Sequence, residues 1–344
     1  MGIADFSNSR AAATDLQFGI WSPAETGFIP KIIEATALAF NSDHARWSEE
    51  YVRAKFIDGP WGPASTAIAI ADDGTVAGFV SFGNCSLQVG DEQLKGGLSY
   101  HTFVHPAFQR RGIFSKLARL AVAHARGNGA SILFNFPNPS SYPGFQKLGW
   151  TDIGTICSWI KPLDLPRILR VASASGAAAS AFVPARASEE SRDHLSRLAS
   201  MEDALDPWRS NRRLKTVHTP QSLRWRLELH PYDYRLHASD GGLVVLRVGE
   251  RRGLCEVQVL ELFSAGNGRR LLCDAIDYAR EEVGAQLLSM TASLFHPASV
   301  HLPLLGFVPM PNSVRFMALP LVPSTRSYAT PKRWSISALD FHMY

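Results

Sequence analysis

The sequence predicts an α/β protein of two domains, and three observations support this prediction. At 344 residues the chain is longer than most single domains, and its composition, 46% hydrophobic and 19% charged, is typical of globular proteins. A strand, a tight loop, a helix and a second strand follow one another in residues 98–150. A similar order of elements returns in residues 241–307.

The segment 98–150 carries the clearest pattern. Residues 99–104 are rich in β-branched and aromatic side chains, and Pro106 ends this predicted strand. From Ile113 onward the apolar residues recur at helical spacing. Residues 131–136 form a second short apolar strand.

The loop between this strand and helix is the candidate functional region. The start of a helix presents N–H groups and the positive end of its dipole, which together bind anions such as phosphate. Gly112 allows close approach of the backbone, and Arg110 and Arg111 add positive charge. An ordinary strand-to-helix turn with exposed arginines explains the loop alone equally well.

The run of residues 104–113, Val-x-Pro-x-x-Gln-Arg-Arg-Gly-Ile, resembles the acyl-CoA pyrophosphate loop of the GNAT superfamily of N-acyltransferases. In that family the loop has the sequence pattern Arg/Gln-x-x-Gly-x-Gly/Ala, where x is any residue. Gln109 and Gly112 match this pattern, whereas Phe114 departs from the small third position. The resemblance extends to residues 147–150, Lys-Leu-Gly-Trp, which are similar to the Lys-Leu-Gly-Phe ending of the family.

The resemblance implies a particular fold for each domain, a mixed, mostly antiparallel sheet flanked by helices. We expect a GNAT domain in residues 1–170 and a second, GNAT-like domain in residues 187–344. Residues 171–186 are rich in Ala and Ser and are the expected linker, although alanine also favours helix.

An internal duplication is indicated by the spacing of two pairs of glycines. Gly112 and Gly149 are 37 residues apart, and Gly268 and Gly306 are 38 residues apart. The second copy lacks the Gln/Arg-x-x-Gly loop, so we expect it to be degenerate and without a cofactor. An unrelated α/β domain is the alternative.

Two features precede the loop. Residues 43–58 predict a helix with Trp47, Tyr51 and Phe56 near one face. The resemblance implies that such helices cover the acceptor site, and core packing is the alternative interpretation of these aromatics. Strands at 65–71 and 76–82 are predicted to form a hairpin, followed by a polar excursion at 85–97.

Acetyl-CoA is the acyl donor that the resemblance implies. Its pyrophosphate is expected on the loop, and its pantetheine amides are expected to pair with the preceding strand. The expected cofactor-binding residues are Phe103, Val104, Gln109, Arg110, Arg111, Gly112, Ile113, Phe114, Asn138 and Ser141.

Transfer to an amine requires that the amine lose a proton and that the departing thiolate gain one. Many family members carry a Tyr four residues before the final glycine of the ending, but here that position is Phe145. Tyr142 lies about one helical turn away and is the candidate proton donor, with a solvent-exposed turn residue as the alternative. His101 is the candidate base because the ordinary pKa of histidine suits the task, and His105 or a water chain could replace it.

These features predict a cytoplasmic N-acetyltransferase that moves an acetyl group from acetyl-CoA to a small polar amine, such as an amino sugar, by direct attack in a ternary complex. A tandem aminoacyl transferase that uses charged tRNA is one alternative, and a non-catalytic acetyl-CoA-binding protein is another. The net charge of +4 is scattered along the chain and gives no support to nucleic-acid binding. The acceptor, the acyl-chain length and the oligomeric state stay open.

The sequence contains no pattern that is typical of a metal site or of a membrane-spanning segment. The four cysteines are far apart, and neither a Cys-x-x-Cys nor a His-Glu-x-x-His arrangement occurs, so no metal site is expected. No apolar run reaches the ~18 residues of a membrane helix, and no signal peptide is recognisable. We therefore expect no membrane partner.

Overall fold

The structure of the protein is a computed structural model that describes residues 15–40, 47–174, 181–205, 213–240, 242–264, 266 and 268–341. The helices of these residues are α1 (Ile29–Phe40), α2 (Glu49–Phe56), α3 (Ile113–Gly127), α4 (Tyr142–Lys147), α5 (Leu165–Ala174), α6 (Glu189–Ser196), α7 (Glu202–Leu205), α8 (Pro220–Glu228), α9 (Gly268–Glu281) and α10 (Ala338–Phe341). The strands are β1 (Leu16–Ile20), β2 (Ser65–Ala71), β3 (Val76–Val89), β4 (Glu92–Val104), β5 (Ile132–Asn135), β6 (Thr151–Pro162), β7 (Val183–Pro184), β8 (Lys215–Thr216), β9 (Tyr234–Ser239), β10 (Gly242–Arg251), β11 (Leu254–Ser264), β12 (Leu287–Ala292) and β13 (Val308–Pro320).

The chain divides into two compact units. The first contains the residues up to Gly83 together with Ser99–Asn128, and the second contains Asn84–Leu98 and the residues from Gly129 onward. Strands β3 and β4 therefore contribute residues to both units. The predicted fold class is confirmed, because helices flank mostly antiparallel sheets. The predicted domain boundary at residues 171–186 stays a prediction.

The first unit is built on an antiparallel arrangement of β1, β2 and β3. The predicted hairpin between β2 and β3 is confirmed, and Gly74 in its turn has a φ of 79°, a conformation that favours glycine. Helix α3 packs against this sheet at Gly78 of β3. A Cβ atom at Gly78 would lie 2.9 Å from side-chain atoms of both Ile113 and Leu117, so the helix approaches closely because this residue has no side chain.

The second unit contains the strand order β4-β5-β13-β6-β12-β11-β10-β7, with β9 paired to β10 and β8 paired to β3. Strand β5 runs parallel to β4, and β12 runs parallel to β11. A parallel pair requires a crossover connection, which α3 supplies between β4 and β5 and α9 supplies between β11 and β12. The order strand, helix, parallel strand therefore occurs twice along the chain, and the internal duplication stays a prediction.

The strands that follow these two crossovers are exchanged. Strand β13, from the end of the chain, pairs with β5, so that Ala318 lies opposite Phe134. Strand β6, which follows α4, pairs with β12, so that Ser289 lies opposite Ile160. Strands β6 and β13 also pair with each other. Each crossover is thus extended by a strand from the other half of the sequence.

Residues 85–97 differ from the prediction of a polar excursion. Most of them continue β3 and β4 as a long pair of strands that turns at Gly90, whose φ is 57°. Leu87 is fully buried, and a Cβ atom at Gly96 would lie 2.4 Å from its side chain. One face of this strand pair is buried and the other is not, so polar residues alternate with apolar ones near the turn. These polar residues made the strands difficult to recognise from the sequence.

The predicted linker begins as helix, because α5 continues to Ala174, and residues 175–180 lie outside the described part of the chain. Within the described ranges, no helix is both long and apolar enough to span a membrane. In the same ranges, no three His, Cys, Asp or Glu side chains are placed to bind a metal ion.

Candidate functional site

The connection from β4 to α3 turns twice through left-handed backbone conformations. Arg110 has a φ of 62° and Gly112 a φ of 73°. The left-handed conformation costs a residue with a side chain about 1–2 kcal/mol, and glycine avoids this cost. The chain holds Arg110 in this conformation within the loop that the sequence predicts to bind the cofactor. This turn brings the backbone of residues 109–112 to the start of α3.

Two side-chain contacts hold the loop against the end of β4. The Gln109 side-chain amide donates a hydrogen bond to the Val104 carbonyl oxygen, with an Nε2 to oxygen distance of 3.5 Å. The Arg111 guanidinium lies over the Phe108 ring, 5.5 Å from the ring centroid, and Phe108 itself is buried. Gln109, Arg110 and Arg111 are all exposed. The side chains of both arginines are therefore exposed at the surface of the loop.

The first turn of α3 has the properties of an anion-binding helix end. Its N-cap is Gly112, which offers no capping side chain, and no acidic residue lies in this turn. Space is open around Gly112, since a Cβ atom there would meet no atom within 4 Å. The positive end of the helix dipole thus faces an uncrowded surface beside two arginines. Ile113 is buried and anchors the helix, and Phe114 is half-buried.

Strand β4 leads into this loop. Its parallel pairing with β5 covers Gly96 to Leu98, so Phe103 and Val104 lie beyond the paired stretch. The Phe103 side chain is buried and stacks on Phe79, with 5.8 Å between ring centroids and 15° between the planes. Any contact of Phe103 with a ligand is therefore made by its main chain.

The candidate base His101 lies in an aromatic cluster of the first unit. Its ring is half-buried and contacts Trp47 edge-on, with 4.4 Å between ring centroids, and Phe56 at 6.2 Å. Trp47 also contacts Tyr51 at 5.4 Å. The helix predicted at residues 43–58 is shorter in the structure, where α2 begins at Glu49; Trp47 precedes it, and residues 43–46 lie outside the described part of the chain. Trp47 and Phe56 pack against the strand that carries His101.

A buried lysine joins this cluster, and sequence analysis did not find it. Lys55 is 2% exposed, and its Nζ donates to the Tyr51 hydroxyl oxygen at 2.9 Å. The Nζ also lies 5.3 Å from the ring centroids of Tyr51 and Tyr100. The four-residue spacing of Tyr51 and Lys55 on α2 was the available signal, since residues four apart lie on one helix face.

His105, the alternative base, is hydrogen-bonded to the backbone of the loop. It caps the 3-10 helix Pro106–Phe108, and its Nδ1 accepts the N–H of Ala107 at 3.2 Å. Desolvation lowers the pKa of His105, and the carboxylates of Glu34 and Asp73 oppose this shift. Because Nδ1 is an acceptor here, a proton in the neutral ring resides on Nε2.

The candidate proton donor Tyr142 lies in the second unit, at the start of α4. Its hydroxyl donates to Asp152 Oδ2 at 2.5 Å and accepts from the Gln146 side-chain amide at 2.9 Å. The Arg315 guanidinium bridges the pair, 3.0 Å from Asp152 Oδ2 and 4.5 Å from the Tyr142 ring centroid. The hydrogen bond to Asp152 is the main cause of the raised pKa of Tyr142. Tyr142 is therefore protonated at neutral pH.

The remaining predicted cofactor residues form a turn before α4. Asn138 Oδ1 accepts the N–H groups of Ser140 and Ser141 at 3.0 and 2.9 Å, and the Ser141 hydroxyl donates to the Asn138 carbonyl at 3.3 Å. Phe145 is 1% exposed and packs edge-on against Trp150, so this side chain is part of the core.

The structure brings the predicted residues together in two groups. The first unit holds His101, Phe103, Val104 and the loop 109–114. The second unit holds Asn138, Ser141 and Tyr142.

Comparison with known proteins identifies the region that contains the loop. The sequence model of a family described as Acetyltransferase (GNAT) domain matches residues 22–153. This part of the chain belongs to the GNAT superfamily. The match includes β4, the loop and α3, and GNAT proteins use acyl-CoA donors. No curated protein sequence matches the chain significantly.

Solved structures of similar fold extend beyond the GNAT domain. A GCN5-related N-acetyltransferase from Kribbella flavida has a TM-score of 0.61 at 17% identity, covering 91% of this chain and 73% of that one. A GCN5-related N-acetyltransferase from Anabaena variabilis also has a TM-score of 0.61, at 12% identity, with coverages of 88% and 72%. A fungal structure described as a GCN5-related glucosamine N-acetyltransferase region has a TM-score of 0.50 at 15% identity, covering 90% of this chain and 38% of that one. At these identities the likeness concerns the fold.

Proposed function

We propose that the GNAT domain transfers an acetyl group from acetyl-CoA to the primary amine of a small polar acceptor. The observation that carries this proposal is the loop 109–112 with the uncapped first turn of α3. The backbone N–H groups of that turn, Arg110 and Arg111 together supply the donors and the positive charge that a pyrophosphate requires. Gln109 supports the loop from the end of β4.

The rest of the donor is expected along β4. The main chains of Phe103 and Val104 lie beyond the ladder with β5, and strand-like pairing with the pantetheine amides uses main-chain groups alone. The side chain of Ile113 stabilises the helix under the phosphates, and Phe114 flanks them. Asn138 and Ser141 are proposed as further polar contacts, through groups that their turn leaves exposed.

The reaction needs one nucleophile and two proton transfers. The amine nitrogen attacks the thioester carbonyl carbon, a C–N bond forms, and the C–S bond breaks with its electron pair on sulfur. We propose that His101 accepts the amine proton, directly or through water, and that Tyr142 supplies the proton to the thiolate. Holding both substrates in one complex supplies much of the acceleration.

Replacing Tyr142 by Phe tests its role. If Tyr142 is the proton donor, kcat falls about 100-fold, because general acid catalysis contributes on this scale, and KM for acetyl-CoA changes little. Asp152→Asn is the matched control, since it keeps the hydroxyl and removes the carboxylate that raises the pKa of Tyr142. This control should retain most of kcat and shift the basic limb of the pH profile downward. An unchanged kcat in Tyr142→Phe removes Tyr142 from the mechanism.

Release of free thiol from acetyl-CoA tests the function as a whole. The acceptors are glucosamine, 1,4-diaminobutane and free amino acids, and glucosamine is included because a structure of similar fold is described as acting on it. Propionyl- and octanoyl-CoA serve as alternative donors. Amine-dependent thiol release supports the proposal.

A second candidate function is an acyl-CoA-binding protein without catalysis. The observation that favours it is Phe145, which is buried at the position where many GNAT enzymes carry the donor tyrosine. Tight binding of acetyl-CoA without thiol release for any acceptor would favour this second function over the first.

A further inference from the structure

The second unit contains a partly open cavity of about 320 Å³, and the residues of the predicted cofactor loop are not among those that line it. Its walls come from α7, β8, the start of α8, β11 and the C-terminal segment. The volume is in the range of small-molecule sites. All of its lining residues belong to the second unit.

The cavity lies where two parallel strands stop pairing. The ladder between β11 and β12 ends with Val259 opposite Met290, and Glu261 lies beyond that point and lines the cavity. The C-terminal segment is tied to the end of β12, where the N–H of Ser293 donates to the Ile336 carbonyl at 2.8 Å and the N–H of Ile336 donates to Ser293 Oγ at 3.2 Å. This attachment fixes the position of α10, which carries Asp340.

Asp340 is a buried carboxylate of the cavity wall. It is 2% exposed, and its Oδ2 accepts the N–H of Ser337 at 2.8 Å. No hydrogen bond within 3.5 Å reaches Oδ1 from the described residues. The buried Arg226 lies close by, but its Nη1 donates to the Leu339 carbonyl at 2.6 Å. The Thr216 side chain and the charge of Arg226 both lower the pKa of Asp340, so both groups lie near this carboxylate.

A second carboxylate is held in place by a histidine. His296 is 3% exposed, and its Nδ1 accepts the N–H of Ala298 at 3.2 Å, so its Nε2 carries the hydrogen. That Nε2 donates to Glu261 Oε1 at 2.9 Å. The N–H of Leu262 donates to the same oxygen at 2.8 Å. Both contacts hold Oε1 of Glu261 in place at the cavity wall.

A third acceptor is the ring of His218. This residue is 6% exposed and lines the cavity, and no described residue hydrogen-bonds to its Nδ1. Desolvation, with the charges of Arg226 and Lys215, lowers its pKa well below the ordinary value. His218 is therefore neutral and contributes no positive charge to the cavity.

The charges around the cavity are mostly negative. The charged or titratable groups of its walls and of the elements packed behind them are Cys85, Glu202, Asp203, Lys215, His218, Arg226, Glu261, His296 and Asp340. Of the described residues that line it, four are carboxylates and Lys215 is the cation. Burial, with the nearby charge of Glu261, raises the pKa of Asp340 to about 6. Burial and Glu261 thus outweigh the opposing effects of Thr216 and Arg226 on this carboxyl group, which is ionised at neutral pH.

We propose that this cavity binds a small molecule with a primary ammonium group, held by Asp340 and Glu261. An ammonium group has three N–H donors, and Asp340, Glu261 and His218 offer three acceptors of suitable charge. Thr216 and Ser335 line the same cavity and suit hydroxyl groups of the ligand, and Phe263 supplies an apolar wall. The inference does not depend on the acyl-CoA loop, whose residues are not among those that line the cavity.

Isothermal titration with matched ligand pairs tests the proposal. The probes are glucosamine against glucose, and 1,4-diaminobutane against 1,4-butanediol, because the members of each pair differ in the ammonium group. We expect at least one amine to bind at least ten times more tightly than its uncharged partner. Equal binding within both pairs, or no binding of either amine at 20 mM, overturns the proposal.

Variants locate the site. Asp340→Asn and Glu261→Gln should each weaken amine binding at least tenfold, whereas Glu202→Gln at the exposed rim should change it less than threefold. Gly112→Trp should keep the amine affinity, which separates this proposal from failure of the acyl-CoA site. Full affinity in Asp340→Asn, or loss of affinity in Gly112→Trp, contradicts the assignment.

The stability of Asp340→Asn provides an independent readout. Because the pKa of Asp340 is raised in the folded state, its contribution to stability is largest below the ordinary pKa of 3.8 and is lost as pH rises through about 6. Without ligand, Asp340→Asn should therefore melt about 2–4 °C above the wild type at pH 7.5 and show no such gain at pH 4. A melting temperature lowered equally at both pH values would show that Asp340 only supports the fold. Amine binding by the wild type should weaken at least tenfold between pH 7.5 and pH 5.

Discussion

Gly112→Trp abolishes binding of acetyl-CoA, with a loss of affinity of at least 100-fold. The indole would occupy the open space in front of the first turn of α3, where a Cβ atom meets nothing within 4 Å. It would block access to the N–H groups of that turn and displace Arg111 from the phosphates. Isothermal titration of acetyl-CoA into both proteins measures the effect.

Gly112→Ala is the matched control for this result. Its methyl group fits the space but not the backbone, because Gly112 has a φ of 73°. We expect a loss of stability of about 1 kcal/mol and a change in affinity below tenfold. If Gly112→Trp binds acetyl-CoA as well as Gly112→Ala does, the phosphates do not lie at this helix end, and the proposed donor site is wrong.

Trp334→Ala lowers the free energy of unfolding by about 3–5 kcal/mol, the usual cost of removing a buried tryptophan. Trp334 is 1% exposed, and its ring centroid lies 5.4 Å from that of Phe134 and 5.0 Å from that of Phe316. Its Nε1 donates to the Tyr328 carbonyl at 2.6 Å, which would lose this partner. Guanidinium-induced unfolding, followed by circular dichroism, measures the change.

Trp334→Phe separates packing from the hydrogen bond. It keeps an aromatic ring between Phe134 and Phe316 and loses the indole N–H, so we expect a destabilisation of about 1–2 kcal/mol. Equal destabilisation by Ala and Phe would show that the hydrogen bond, and not the aromatic packing, carries the effect.

Local sequence patterns predicted the elements around the loop. The helix predicted by the spacing of apolar residues from Ile113 is confirmed as α3, Ile113–Gly127. The order of elements predicted in residues 241–307 includes a helix, and the structure has α9, Gly268–Glu281, in that range. These elements were readable because helical periodicity and glycine stops depend on neighbours in the sequence. The predicted roles of Tyr142 and His101 stay predictions.

Features that depend on distant residues could not be predicted. The pairing of β13 with β5 and of β6 with β12 leaves no local signal, because each pair joins residues that are far apart in the sequence. The cavity depends on Asp340, near the chain end, meeting Glu261, and no spacing rule connects them. The burial of Lys55 likewise follows from aromatic rings that β4 brings to α2.

The exchanged strands also determine when the chain can fold during synthesis. Asn135 of β5 pairs with Met317 of β13, 182 residues later. At about 5–20 residues per second, a ribosome needs roughly 10–40 s to make that partner available. Until then the apolar β5 has an open edge, which invites pairing with other nascent chains. Slower initiation of translation, or a chaperone bound during this interval, should therefore raise the yield of native protein. We expect this effect to exceed that of substitutions in the hydrophobic core of the folded protein.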